Sequence, residues 1–204
     1  MAGAENTAQL ITFAAVAAPL SYLAASANLP LQDQMIDTLD HALHLDWRGL
    51  LNWMNNAPTT YAVLHLLYMS LTLQMTTAAL SLAFTGRLLR LRIYLLAFIL
   101  AALIAIAISA LLPAAGAWPY YGLTAADSPH ITPAVSTSWP VFYGLRDGSF
   151  RALVAIGSEG IISFPSLHAG LAVILVIAVW PIPVLGWLAL VLNVAMLVAT
   201  PIWL

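Results

Sequence analysis

Long apolar runs without a charged side chain alternate with polar links along this chain of 204 residues. A helix needs about 20 apolar residues to cross the roughly 30 Å hydrocarbon layer of a bilayer. The runs lie at residues 9–27, 60–84, 93–115, 168–180 and 184–203, and the fourth must begin near Phe164 to be long enough. The pattern therefore predicts an all-α fold, a polytopic transmembrane helix bundle of about five spans.

A different periodicity marks residues 31–54, between the first two runs. Apolar side chains recur there every three or four residues. The opposite arc carries polar side chains, among them Asp33, Asp37, Asp40 and Arg48. This pattern is typical of an amphipathic helix that lies in the membrane interface. We predict one interfacial helix over residues 31–54, an outer loop over residues 116–163 and a single domain over residues 1–204.

Tryptophans mark the predicted ends of several spans. They are Trp118, Trp180, Trp187 and Trp203. Because indole rings favour the boundary between hydrocarbon and water, these positions predict an aromatic belt at the membrane surfaces.

The composition supports a membrane protein and excludes several other classes. Hydrophobic residues make up 62% of the chain, charged residues 7%, and the mean hydropathy is +0.94. A soluble protein has about 25% charged residues. The chain has no cysteine and a formal net charge of −2, so neither a disulfide framework nor a basic surface for nucleic acid is expected.

Three arginines predict how the bundle is oriented. Arg87, Arg90 and Arg92 lie together in the short link between the second and third runs. Short links rich in arginine stay in the cytoplasm. This link and the N-terminus are therefore predicted to be cytoplasmic, whereas residues 28–59 and 116–163 are predicted to face the periplasm of a bacterial inner membrane.

The richest candidate chemistry lies at the start of the fourth run. His168 is the only ionisable side chain between Gly160 and Leu204. Ionisable residues at the edge of a membrane helix are commonly functional. Pro165 suits the first position of a helix, and a helix start with the Ser166 hydroxyl beside it is suited to binding phosphate.

Two arginines and one histidine complete this candidate site. Protonated His168 is suited to act as a general acid toward a leaving oxygen. Arg146 and Arg151 lie on the same predicted side and could pair with phosphate oxygens. The alternatives are that Ser166 and His168 only cap a helix, and that the arginines contact headgroups or carboxylates.

The remaining histidines are weaker candidates. His41, His44 and His130 fall in polar segments and are interpreted as solvated surface residues. His65 lies within the second run and could ligate a haem or chlorophyll, but no second ligand accompanies it. We therefore expect no cofactor and no metal site.

The hexapeptide Phe164-Pro165-Ser166-Leu167-His168-Ala169 resembles the second motif of the type 2 phosphatidic acid phosphatase superfamily. The variant is the one shared with inositol phosphorylceramide synthases. Similarity in kind and order covers most of the chain. In that family the motif's serine binds phosphate and its histidine protonates the leaving group, which implies these roles for Ser166 and His168. The family's first motif supplies basic phosphate ligands, for which Arg151 and Arg146 are the candidates here.

The family's third motif supplies a nucleophilic histidine, oriented by an aspartate, at the outer end of the next span. The chain reaches Leu204 without such a histidine. We expect either that residues beyond Leu204 supply it or that this protein lacks the nucleophile and turns over little substrate.

Two functions follow as hypotheses. The first is a hydrolase of lipid metabolism or a phosphotransferase that acts on a lipid phosphate at the periplasmic face, without a metal. The second is a non-catalytic polytopic subunit that binds membrane lipids, a pigment or other subunits of a larger membrane complex.

The predicted orientation can be tested because the chain has no cysteine of its own. Single cysteines at Arg90 and Ser136 are treated with a membrane-impermeant thiol reagent in intact spheroplasts. We expect labelling at Ser136 only, since the arginine link should lie in the cytoplasm. Labelling at Arg90 but not at Ser136 would invert the topology.

Overall fold

The computed structural model describes residues 13, 16–124, 126–131, 138–150 and 161–203. This part of the chain contains helices and no β-strand. The helices are α1 (Val16–Ser26), α2 (Asp33–Ala42), α3 (Trp47–Asn55), α4 (Pro58–Met69), α5 (Leu71–Phe84), α6 (Leu88–Leu111), α7 (Ala117–Tyr120), α8 (Trp139–Asp147), α9 (Leu167–Val179) and α10 (Pro183–Trp203). The predicted all-α class is confirmed.

The longest helices are also the most apolar. Helices α6 and α10 have 24 and 21 residues, and each is long and apolar enough to cross a membrane. Helices α4 and α5 meet the same criterion only as a pair that bends by 45°. Helices α1 and α9 are apolar but shorter. The described residues thus contain two candidate spans, or three with the bent pair, and the count of five remains a prediction.

The second predicted span, residues 60–84, is not one straight helix. It breaks at Ser70, between α4 and α5. The Ser70 hydroxyl donates to the Leu67 carbonyl at 2.7 Å and accepts from the Gln74 side chain at 2.8 Å. Side-chain hydrogen bonds of this kind compete with the helical backbone ladder and bend helices.

The third span begins and ends earlier than predicted. Residues 93–115 were expected, whereas α6 runs from Leu88 to Leu111. Arg90 and Arg92 therefore belong to the first turns of the helix. Its end follows from Pro113, because a proline disfavours helical backbone at the residue before it. Leu112 accordingly has φ −128° and ψ 64°.

The prediction of one interfacial helix over residues 31–54 is wrong. The segment forms α2 and α3, and His44 between them has a left-handed φ of 59°. Asp46 begins the second helix by accepting a hydrogen bond from the Gly49 N–H at 2.9 Å. An aspartate cap favours a new helix start over continuation of the old one. Only α3 buries apolar side chains, those of Trp47, Leu51 and Met54, while α2 buries none fully.

Helix α9 lies at the centre of the bundle. It packs against α5, α6 and α10, and α10 packs in turn against α3 and α4. Ala172 and Leu175 are almost completely buried where these helices meet. Asn193, which is 1% exposed, donates to the Gln74 side chain at 2.8 Å and so links α10 to α5.

The predicted aromatic belt is only half right. Trp180 and Trp187 are 48% and 63% exposed, as a belt requires. Trp118 and Trp203 are instead buried, at 1% and 0%. Trp203 ends α10, and Trp118 from α7 packs against the same turn. Tertiary packing there overrides the preference of an indole for the membrane surface.

Two glycines near the ends of α9 should respond in opposite ways to alanine. A Cβ at Gly186 would lie 2.9 Å from the Trp180 carbonyl oxygen, whereas a Cβ at Gly170 would meet nothing within 4 Å. We expect Gly186→Ala to lower the free energy of unfolding by about 1–3 kcal/mol through overpacking. Gly170→Ala should leave it unchanged or raise it by up to about 1 kcal/mol through helix propensity.

Thermal unfolding of both variants in the same detergent measures the difference. Equal stability of the two variants would contradict the close contact between Gly186 and Trp180.

Candidate functional site

Ser166 is the N-cap of α9. Its backbone is extended, with φ −69° and ψ 114°, and its Oγ accepts from the Ala169 N–H at 3.3 Å. The prediction that Pro165 occupies the first helical position is wrong, since Leu167 does. Serine is among the strongest N-cap residues, so the helix starts immediately after Ser166 and leaves Pro165 outside.

The start of α9 retains the chemistry expected of an anion site. The first N–H groups of a helix have no partner within it, and they carry the positive end of the helix dipole. The cap uses Ser166 Oγ as an acceptor. Its hydroxyl hydrogen therefore remains free to donate to a phosphate oxygen.

Ser166 opens onto a cavity of about 330 Å³ between α2, α7, α9 and α10, which we call the α9-start cavity. Its lining includes Asp33, Asp37, Asp40, Trp47, Gly116, Tyr120, Tyr121, Ser163, Ser166, Ala169, Thr200 and Pro201. The cavity joins the start of α9 to the end of α10. A small molecule at Ser166 would therefore also contact the last turns of α10.

The opposite wall of the cavity is acidic, which the sequence analysis missed. Asp33, Asp37 and Asp40 occupy one face of α2, as their spacing of four and three residues dictates. The sequence pattern puts them on the polar arc of the predicted interfacial helix. Because α2 folds over the cavity, this arc lines the cavity together with Ser166. The spacing indicated that the three acids share a face, but not what that face meets.

Two of these carboxylates already hold the fold together. Asp33 accepts from the backbone N–H groups of Ala115 and Gly116, at 3.1 and 2.9 Å. Asp37 accepts from the Tyr121 hydroxyl. Burial, and then this bond to Asp37, raise the pKa of Tyr121 to about 12, so the phenol stays a donor at neutral pH. These bonds fix α2 to the segment that follows α6.

Asp40 has a different environment. Its pKa is raised, first because burial disfavours the charged form and then because Asp37 repels it.

His168 lies on another side of α9 and does not line the cavity. Its ring stacks on Tyr68, with centroids 4.2 Å apart and planes within 6° of parallel. Tyr68 stacks in turn on Trp203 at 5.2 Å. Together with Tyr61 and His65, which also stack near Trp203, these residues form what we call the aromatic cluster. The cluster fixes the orientation of the His168 ring.

Arg146, on α8, does not itself line the cavity, but its charge interacts with that of Asp33, which does. Its Nη2 donates to the Leu29 carbonyl at 2.6 Å, and its guanidinium lies 5.4 Å from the centre of the Phe142 ring. Burial lowers the pKa of Arg146. Its Nη1 is buried without a hydrogen-bond partner among the described residues, so Arg146 keeps donors besides the one bonded to Leu29. Arg151 lies outside the described residues, so both arginines remain predictions as phosphate ligands.

The other histidines do not gather at the cavity. His41 is exposed, with its Nε2 3.6 Å from Asp37, and His130 is exposed beside Asn55. His65 belongs to the aromatic cluster, and its Nδ1 is buried without a hydrogen-bond partner among the described residues. Within that same part of the chain, no group of three or more histidine or acidic side chains is placed to hold a metal.

The fold is that of a helical membrane protein, and its cavity contains a serine at a helix start, an arrangement that can bind phosphate. A family model described as the PAP2 superfamily matches residues 34–203. The chain belongs to this superfamily, as the resemblance of the Ser166–His168 motif implied. The comparisons with curated proteins and with solved structures gave no match.

The capping and anion-binding roles of Ser166 can be separated by two substitutions. Ser166→Ala removes the cap and should lower the free energy of unfolding by about 1 kcal/mol. Ser166→Asp retains a cap acceptor and should keep the wild-type stability, but its charge should repel vanadate.

Thermal unfolding and vanadate titration of both variants provide the measurement. If Ser166→Asp binds vanadate as tightly as wild type does, the anion does not bind at Ser166.

Proposed function

We propose that this protein acts on a lipid phosphate or phosphodiester, as a phosphatase or phosphotransferase, at the periplasmic face of a bacterial inner membrane. The observation that carries the proposal is the placement of Ser166. It lies at a helix start, in a cavity whose other wall is the end of α10. Membership of the PAP2 superfamily over residues 34–203 supports a lipid phosphate as substrate.

The substrate phosphate would occupy the α9-start cavity. Its oxygens would accept from the first N–H groups of α9 and from the Ser166 hydroxyl. The acidic wall of α2 favours a phosphodiester, which has one negative charge, over a phosphate monoester with about −1.5 to −2. Arg151, and Arg146 through its remaining N–H donors, would supply the positive charge that the cavity itself lacks.

His168 would act as the general acid. As a nucleophile attacks phosphorus, the bond to the leaving oxygen breaks, and protonated His168 donates its proton to that oxygen. Stacking on Tyr68 holds the ring in one plane. His168 lies in the aromatic cluster and not in the cavity. The leaving group of a phosphate bound at Ser166 would therefore have to extend past the start of α9 toward Tyr68.

In the family the nucleophile is a histidine at the outer end of the corresponding span, a place that would fall at the end of α10 here. Thr200 and Pro201 already line the cavity. A residue that follows them along the chain would therefore start close to a phosphate bound at Ser166.

Activity measurements on two lengths of the protein test this mechanism. Release of phosphate or headgroup from several lipid phosphates and phosphodiesters is measured for the 204-residue chain and for the complete product of its gene. Turnover by the 204-residue chain should be close to background, because it offers no nucleophile in the expected place. In an active form, His168→Ala should lower turnover by about 100-fold or more by removing the leaving-group acid.

The control is His44→Asn, which removes an exposed histidine outside the cavity and the aromatic cluster and keeps a residue that tolerates the left-handed backbone there. Turnover that is insensitive to His168→Ala would exclude this mechanism. Robust turnover by the 204-residue chain that is lost in His41→Ala or His130→Ala would show that the nucleophile is misassigned. Absence of turnover in every form would favour the non-catalytic subunit.

A further inference from the structure

A second cavity, of about 600 Å³, lies at the opposite end of α9 from Ser166. It is a groove between the start of α6 and the end of α9, which we call the α6–α9 groove. Among the residues that line it are Arg87, Arg90, Ile93, Tyr94, Ile174 and Ile177. The walls are apolar, and the polar groups gather at one end. Such a groove matches the shape of a lipid, with a chain along the walls and a headgroup at the mouth.

The mouth of the groove is strongly positive. Arg87 and Arg90 line the mouth at the start of α6, where the helix dipole is positive as well, and the first turn has no acidic residue. Among the described residues, none of these guanidinium groups forms an ion pair with a carboxylate. Cations at the N-terminus of a helix are unfavourable by themselves. An anion at this position would relieve that repulsion.

Hydrogen bonds to the end of α9 and to the link that follows it hold two of the arginines over the groove. Arg90 Nη1 donates to the Ile177 carbonyl at 2.9 Å, and Arg87 Nη2 donates to the Pro181 carbonyl at 3.2 Å. A guanidinium has five N–H donors, so each retains donors for a phosphate. Basic pockets between membrane helices are a known kind of binding site for anionic lipid headgroups.

Tyr94 supplies an independent indication of a ligand. The residue lines the groove and is 3% exposed, yet its hydroxyl is buried without a hydrogen-bond partner among the described residues. A buried unpaired hydroxyl is costly. Tyr94 follows Arg90 by one helical turn, about 6 Å further into the membrane. The ester carbonyls of a phospholipid lie at a similar depth below its phosphate, and one of them would accept from this hydroxyl once the Tyr94 side chain turns toward the groove.

We propose that the α6–α9 groove binds one anionic phospholipid, with its phosphate between Arg87 and Arg90, an ester carbonyl at Tyr94 and an acyl chain between α6 and α9. A soluble anion would use only the arginines. The apolar walls continue outward through Leu89 and Ile93, which are 74% and 58% exposed, so the ligand is a lipid. This site is separate from the α9-start cavity and does not depend on the activity proposed for it.

The proposal is tested by native mass spectrometry of the full chain in a mild detergent, titrated with phosphatidylglycerol. Phosphatidylcholine with the same acyl chains and water-soluble glycerol phosphate are the comparison ligands. Wild type should bind phosphatidylglycerol at least about tenfold more tightly than either. The Arg87→Gln/Arg90→Gln double variant should lose at least about tenfold in affinity, and Tyr94→Phe about three- to tenfold.

Arg92→Gln is the matched control, because Arg92 belongs to the same turn but does not line the groove. It should change the affinity by less than about threefold, since exposed charges are screened over about 10 Å. The Arg87→Lys/Arg90→Lys variant keeps the charge and should retain most of the affinity even if the glutamine variant folds poorly.

Three results would overturn the proposal. Equal affinity for phosphatidylcholine and phosphatidylglycerol would show that the groove does not discriminate between headgroup charges. A loss in Arg92→Gln as large as in the double glutamine variant would indicate only general surface charge. Equal binding of glycerol phosphate would mean that the groove does not hold a lipid chain.

Discussion

Two indole N–H groups hold the last turn of α10, and the arrangement of the α9-start cavity depends on them. Trp47 Nε1 donates to the Pro201 carbonyl at 2.7 Å, and Trp118 Nε1 donates to the Ile202 carbonyl at 2.9 Å. The last carbonyls of a helix have no partner within it, and leaving them unpaired in a dry core is costly. Because Trp47 of α3 and Trp118 of α7 supply the donors, both helices are fixed to α10. The same hydrogen bonds that satisfy the end of α10 therefore also position α3 and α7 around the cavity.

The same turn also determines where His168 lies. Trp203 is fully buried and stacks on Tyr61 and Tyr68, and Tyr68 stacks on His168. Ser166 and His168 are two residues apart, so α9 directs them to different neighbours. Ser166 lies at the cavity and His168 at the aromatic cluster. A substrate that uses both must bridge the start of α9.

The pattern of apolar and charged residues predicted those helices whose formation depends only on a long uncharged run. Helices α6 and α10 appear as long uncharged runs, and Ser166 was predicted at a helix start by its place before the fourth run. The breaks at Ser70 and His44 were not predictable in this way. One depends on a local side-chain hydrogen bond, and the other on a new cap at Asp46. The inward position of the α2 acids depends on bonds between Asp33 and residues more than 80 positions away. The periodicity shows which residues share a face of α2 but not what that face meets.

The shortness of α9 has a consequence for where chemistry could occur relative to the membrane. Its 13 residues span about 20 Å, whereas the hydrocarbon layer is about 30 Å thick. Helix α9 packs against α5, α6 and α10, so these helices rather than lipids surround it. As the predicted fourth span, α9 would have both ends at the depth of phosphate and glycerol groups rather than in bulk water. A lipid headgroup would reach Ser166 by sideways diffusion in its own leaflet, without withdrawing its acyl chains from the bilayer.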